Sequence, residues 1–260
     1  MSSEPLKVLD LFSGIGGFSL GLEKAGMRTI AFCETDEFCK EVLKKNWPGV
    51  KIHEDICDFD GRECGAVDVI CGGFPCQDIS VARGKNAKGL DGKKSGLWVE
   101  YARIIGEVRP RFVIVENTSA LLNRGLSTIL SDLDSLGYDA QWHCIPASAV
   151  GAPHQRDRIW IIAYPSCKSV EPSQWAKKFA HEMAKAITNA NSDRFKTTHK
   201  IREWVFSTAG DYWQQAMPEV LGVGNGVPNW SHRVKSLGNA VVPQIPEIIG
   251  KSILKAENET

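Results

Sequence analysis

Four short stretches of this 260-residue chain carry residue types that chemistry needs. Cys76 lies in Gly72-Gly-Phe-Pro-Cys-Gln77, directly after an apolar run that ends at Cys71. A loop cysteine at the carboxyl edge of a sheet is placed as a nucleophile, although a lone cysteine also serves as a small core filler. A free thiol of pKa about 8.5 is only a few per cent thiolate at neutral pH, so nucleophilic use demands activation. Glu116 and Asn117 close a second apolar run and put an acid at the same edge. The competing reading is an acid that caps the next helix. Gln155-Arg-Asp-Arg158 sets two arginines two apart. An extended backbone points both the same way, toward phosphate, carboxylate or plain solvent.

The fourth stretch, Asp10-Leu-Phe-Ser-Gly-Ile-Gly-Gly-Phe18, follows an apolar run and opens a helical one. Glycines there let backbone approach a ligand, and the helix start offers free N–H groups. The dinucleotide fingerprint G-x-G-x-x-G is not met, because Gly14 and Gly16 fit but Ser19 holds the third position. Glu34 ends the next strand, about 20 residues on, where a carboxylate accepts from ribose hydroxyls. The pattern points to a bound nucleoside, with Asp55 and Ile56 as further candidates for its pocket. A tight turn with solvated acids is the alternative.

Positioning these groups requires strands whose ends share one edge. Strands are expected at 7–12, 29–34, 67–71, 112–116, around 144–145 and at 158–164. Helices are expected after the Gly-rich turn at 13–17 and up to 25, and at about 36–46, 96–107 and 126–136, the first stopped by Gly26 and the second by Trp47-Pro48. This rhythm predicts a parallel or mostly parallel sheet covered on both faces. The composition agrees: 43% hydrophobic and 24% charged residues supply a sizeable core and exclude bulk disorder. The longest apolar run is six residues, 159–164, far short of the roughly 20 that span a bilayer. No secretory signal is visible at the start. None of the eight cysteines forms a C-x-x-C pair, so a zinc ribbon and a metal site are not expected and reduced cytosolic thiols are. Lys+Arg equals Asp+Glu, so any nucleic-acid surface must be local.

The rhythm is lost from Pro165 to Lys235, a polar span with ten Lys and Arg against six Asp and Glu, and with Trp175, Trp204, Trp213 and Trp230. It reads as a separate small unit. A last helix, 244–255, is expected to return to the first domain.

Taken together and in order, these stretches resemble the cytosine-C5 DNA methyltransferase family. Asp10 to Phe18 resembles its cofactor loop, Gly-Phe-Pro-Cys-Gln its nucleophile loop, Glu116-Asn117 its acid motif and Gln155-Arg-Asp-Arg158 its Gln-Arg-x-Arg. Gly238-Asn-Ala-Val-Val-Pro-Gln244 resembles its closing motif. The resemblance covers about 1–164 and 232–255. It implies a Rossmann-like α/β methyltransferase sheet with helices on both faces over 1–164, a small target recognition domain over 165–231, and a returning segment over 232–260.

The resemblance also implies the roles. Cys76 adds to C6 of a flipped cytosine, Glu116 donates to N3, Arg158 holds O2, and Arg156 supports the loop or a phosphate. S-adenosylmethionine is the implied cofactor, bound by Phe12, Gly14, Gly16, Gly17, Phe18, Glu34, Asp55, Ile56, Pro75, Asn239 and Ala240. Phe18 is expected to pack on its adenine, Asp55 to accept from the adenine amino group, and Asn239 and its neighbours to approach the methionine end. Thr35 departs from the large apolar residue the family often carries after the acid. Gln77, Ser80, Arg83 and Lys85 are the implied DNA contacts, in a glycine-punctuated loop of net charge +3 over 77–94. Thr197-Thr198 and Ser207-Thr208 are candidates for the recognition domain's threonine pair. The implied setting is a cytoplasmic monomer acting on double-stranded DNA away from membranes, with a separate cognate restriction endonuclease. A tRNA methyltransferase on this scaffold and a silent DNA-binding homologue are the alternatives. A nicotinamide oxidoreductase fails on Ser19 and leaves Pro75-Cys76 unexplained.

Overall fold

The alternation in the sequence is realised as one seven-stranded sheet in the order β3-β2-β1-β4-β5-β7-β6. The computed structural model describes residues 4–75, 96–152, 154–167, 173–207, 236 and 239–258, with the backbone alone over 191–207. The strands are β1 (Lys7–Leu11), β2 (Arg28–Cys33), β3 (Lys51–His53), β4 (Val69–Gly72), β5 (Phe112–Thr118), β6 (Tyr138–Pro146) and β7 (Asp157–Pro165). The helices are α1 (Gly17–Ala25), α2 (Glu37–Asn46), α3 (Leu97–Val108), α4 (Leu121–Arg124), α5 (Leu126–Ser135), α6 (Gln174–Ser207) and α7 (Gln244–Asn258).

Strands β1 to β5 run parallel, and β7 is antiparallel to both its neighbours, β5 and β6. The chain passes from β1 outward to β2 and β3, then crosses to β4 on the other side of β1. Such a reversal opens a crevice beyond the strand carboxyl ends. The glycine loop after β1 and the Gly-Phe-Pro segment after β4 both leave the sheet there.

Alternation along each strand divides the core into two layers. Leu9, Leu11, Ile70, Val113 and Val115 pack with Tyr101, Ile104, Ile129 and Leu133 of α3 and α5. Val8, Val69, Phe112 and Ile114 pack on the other side with Leu22, Ile249 and Ile253 of α1 and α7. Helices α1 and α7 approach closely because position 21 carries no side chain: a β-carbon at Gly21 would lie 2.2 Å from the Pro243 carbonyl.

The start of α6 shares this second layer. Ala176, Phe179 and Met183 are buried in it, and the Trp175 ring stacks on Phe112 and Phe179. The polar span after residue 164 thus begins with a helix anchored in the sheet's own core, and residues 208–231 lie outside the described residues. Among the described residues no helix is long and apolar enough to cross a membrane.

Candidate active site

A cavity of about 170 Å³ opens at the crevice, lined by Phe12, Cys33, Glu34, Thr35, Asp55, Ile56, Cys57, Pro75 and Leu97. Five of these, Phe12, Glu34, Asp55, Ile56 and Pro75, are sequence candidates that the fold brings together. Sequence reasoning missed Cys33, Cys57 and Leu97, which arrive from a strand end, a turn and the start of α3 and carry no motif of their own. The turn after β1 shapes one wall. Phe12 takes φ +52°, a left-handed conformation uncommon outside glycine, and its ring stacks on Tyr101 at 6.2 Å. Gly14 follows at φ +54° and Gly16 at φ +86°. A β-carbon at Gly16 would also strike the Trp47 ring at 2.5 Å, so both φ and packing require glycine there.

Glu34 ties this loop to the next strand. Its Oε2 accepts from the Gly14 N–H at 2.7 Å, and its Oε1 accepts from the Asp36 N–H at 2.8 Å. Beneath the loop, Asp10 is fully buried, accepting from the Ser19 hydroxyl at 2.7 Å and the Ser19 N–H at 3.3 Å. Burial pushes the Asp10 carboxyl up to about 7, against the lowering pull of its Ser19 hydrogen bonds.

The acid site sits at the end of β5. Glu116 is 8% exposed, and its Oε1 lies 2.9 Å from the Arg158 Nε across the β5–β7 pair. Burial raises the Glu116 carboxyl above its ordinary range, while the Arg158 and Arg156 charges pull the other way. The root of the Cys76 loop passes over this carboxylate: a β-carbon at Gly73 would lie 2.6 Å from Glu116 Oε2. Asn117 points to the opposite face and donates from Nδ2 to the Phe74 carbonyl at 3.2 Å, fixing that loop root from below. Arg156 donates from Nη2 to the Asn239 carbonyl at 3.1 Å, so its partner is the closing motif. Val241 of that motif rests on Gly17, whose absent β-carbon would meet the Val241 carbonyl at 2.8 Å.

The structure does not bring Phe18 to the cavity. Its side chain is 4% exposed and meets Trp160 edge-on at 5.4 Å, within the core between α1 and the sheet. Asn239 stands beside Arg156, and neither it nor Ala240 is among the cavity's lining residues. Cys76, Gln77, Ser80, Arg83, Lys85 and Thr208 lie outside the described residues, as do the side chains of Thr197, Thr198 and Ser207. Among the described residues no three His, Cys, Asp or Glu side chains gather in a metal-holding group.

Residues 6–219 match the family model for the C-5 cytosine-specific DNA methylase. The chain belongs to the C-5 cytosine-specific DNA methylase family. Among curated members, it is 42% identical over 166 residues to the Type II methyltransferase M2.BsuMI of Bacillus subtilis (strain 168), covering 61% of this chain and 42% of that protein. It is 33% identical over 222 residues to the Type II methyltransferase M.Sau3AI of Staphylococcus aureus, covering 75% and 54%. This C-5 methylase chain therefore spans about half the length of the curated relatives it matches. Among solved structures, a DNA modification methyltransferase encoded within an Escherichia coli prophage superposes with a TM-score of 0.53 at 27% identity, covering 67% of this chain and 50% of that one. The Dnmt2 methyltransferase of S. pombe, 18% identical with a TM-score of 0.52, shares the fold. The Rossmann-like methyltransferase sheet expected from the motifs is the one observed.

Proposed function

We propose that this methylase-family chain transfers a methyl group from S-adenosylmethionine to C5 of a cytosine flipped out of duplex DNA, through a transient bond from Cys76. The observation that carries this reading is the contact between Gly73 and Glu116. It puts a buried, arginine-paired acid against the root of the loop that leads to Cys76.

The cavity suits the nucleoside end of that cofactor. Each Glu34 oxygen is engaged by one backbone N–H, and a carboxylate has about four acceptor sites, so lone pairs remain for ribose hydroxyls. Phe12 and Ile56 offer apolar surface to a purine, and Asp55 an acceptor for its amino group. Phe18, held on Trp160, contributes by fixing the glycine loop rather than by stacking on the base. S-adenosylmethionine supplies an electrophilic methyl group when bound.

The chain's own residues make the cytosine ring reactive. The Cys76 thiolate forms a bond to C6, and the displaced electron pair moves toward N3. Glu116, whose carboxyl burial shifts upward, gives a proton to N3 and so neutralises the charge as it develops. The carboxylate left behind faces Arg158 at 2.9 Å, which stabilises it without further movement. Once C5 has taken up the methyl group, a base removes the C5 proton, sulfur leaves C6 with its bonding pair, and N3 returns its proton to Glu116, which restores both the ring and the acid. Reaching C6 requires extrusion of the base, at a cost of a few kcal/mol.

The relatives' Type II character extends the proposal to a setting in which methylation shields DNA from a separate endonuclease. Bisulfite sequencing of a plasmid from expressing cells tests the reading: protected cytosines in one sequence context are expected. An unmodified plasmid beside labelled tRNA would overturn the DNA assignment.

A further inference from the structure

The glycine loop after β1 is held by β2 and by the residues that follow it. The Ser13 N–H donates to the Cys33 carbonyl at 3.2 Å, and the Gly14 N–H to Glu34 Oε2 at 2.7 Å. A further hold comes from the far end of α2. Trp47 caps that helix, its N–H donating to the Leu43 carbonyl at 2.8 Å, and its indole presses on Gly16. A β-carbon at Gly16 would meet Cζ3 of the ring at 2.5 Å and Cη2 at 2.6 Å. The ring fills the space that a side chain at position 16 would need.

Two contacts orient the indole. Its Nε1–H donates to Glu23 Oε2 at 2.9 Å, and Glu23 Oε1 accepts from the Thr29 N–H at 3.3 Å. Phe32 of β2 meets the ring edge-on at 5.4 Å. Glu23 stands about two turns along α1 from Gly16, so the indole lies against the side of α1 with one edge at its start. Gly16 is the N-cap of α1, at φ +86°, where the loop becomes helix. At the other end of α2, its N-cap residue Asp36 donates from its N–H to Glu34, the side chain that grips Gly14. Helix α2 therefore braces the loop from both of its ends.

Glycines widen the choice of backbone conformations open to a loop. A ligand that needs one conformation binds in proportion to the fraction of time the loop spends there. We propose that Trp47 is a positioning residue for S-adenosylmethionine, its Glu23-oriented indole holding Gly16, and through it the glycine loop, in the conformation that receives the cofactor. The inference rests on the reading that places the nucleoside at Phe12 and Glu34. Trp47 is not among the residues that line the cavity, so its effect passes through Gly16.

The test is calorimetric titration of the full chain with S-adenosylmethionine. Trp47→Ala should bind about tenfold more weakly, the loss for a loop that spends about a tenth of its time in the competent conformation. In methyl transfer the loss should appear in KM for S-adenosylmethionine rather than in kcat. Trp47→Phe, which keeps a ring against Gly16, should recover most of the affinity. Hydrogen exchange in the cofactor-free Trp47→Ala chain should speed at the Gly14 and Gly16 amides and not along β1. Wild-type affinity, or exchange that speeds along β1 as much as at the two glycines, would reduce Trp47 to packing and overturn the proposal. Should Trp47→Ala not fold, Glu23→Ala frees the indole without removing it. Affinity should then fall in the same direction with the same two amides exposed, and wild-type values for both would equally overturn the proposal. A wild-type chain that binds no S-adenosylmethionine would sink the cofactor reading, while exchange in the cofactor-free chain is read independently.

Discussion

Gly73 leaves β4 so close to Glu116 that a β-carbon at position 73 would lie 2.6 Å from the Glu116 Oε2. The atom in conflict belongs to a side chain that is itself buried and ion-paired, so it cannot swing away without leaving Arg158. Gly73→Ala should therefore displace the acid while leaving the sheet intact. A misplacement of about 1 Å at a reacting group costs on the order of 10²-fold in rate. Single-turnover methyl transfer should fall by that factor with an unchanged circular-dichroism spectrum; full activity would separate Glu116 from the chemistry.

Glu116→Gln removes the transferable proton and keeps the shape. The chemical step should slow by roughly 10² or more, the scale of general acid catalysis. The pH dependence follows from the direction of the shift. Burial raises the Glu116 carboxyl, so the protonated acid persists to higher pH than an exposed glutamate, and the rate should decline as pH rises through that raised value. The Glu116→Gln variant should lose this alkaline limb. A wild-type rate that rises through the same range would contradict the assignment.

Much of this site is legible in the sequence because each motif is local. The glycine loop, the acid near the end of β5 and the paired arginines sit close to strand ends that apolar runs announce, and the helix-stopping Gly26 adopts φ +107° where expected. What escaped depended on direction or distance. Phe12 and Phe18 flank the same loop, yet a positive φ at Phe12 sends one ring to the cavity while helix periodicity sends the other onto Trp160. Strand β3 has three residues, too few for an alternation to show. The antiparallel insertion of β7 between β5 and β6 is a long-range choice, and it is what carries Arg158 to Glu116. In α6, Ala176, Phe179 and Met183 hold an apolar face whose partner, the sheet, is remote in sequence, so its polar residues dominated.

The buried Asp10 predicts an unusual stability profile. Its carboxyl keeps its proton up to about pH 7 in the folded chain but releases it near 3.8 when unfolded. The native state then binds more protons between these values, so this group makes stability fall as pH rises from about 4 to 7. At about 1.36 kcal/mol per unit the whole effect is up to about 4 kcal/mol. Asp10→Asn keeps an acceptor for Ser19 and should flatten the melting temperature across that window, whereas a parallel decline in both proteins would exclude Asp10 as its source.

Glu34 has two duties, bracing Gly14 and Asp36 and facing the cavity. Glu34→Ala should weaken S-adenosylmethionine binding by about tenfold or more, the loss of hydrogen bonds to a charged acceptor. Calorimetric titration measures it directly, and unaltered affinity would move the nucleoside elsewhere.

The sulfur–carbon bond between Cys76 and the target ring is the central claim. A duplex carrying 5-fluorocytosine at the methylated position blocks the final proton loss, so the adduct accumulates. Intact-mass spectrometry of the chain incubated with this duplex and S-adenosylmethionine should show one oligonucleotide strand attached at Cys76, and none with Cys76→Ser. Methylation of ordinary cytosine by the Cys76→Ser chain, or an adduct on a different residue, would contradict the account.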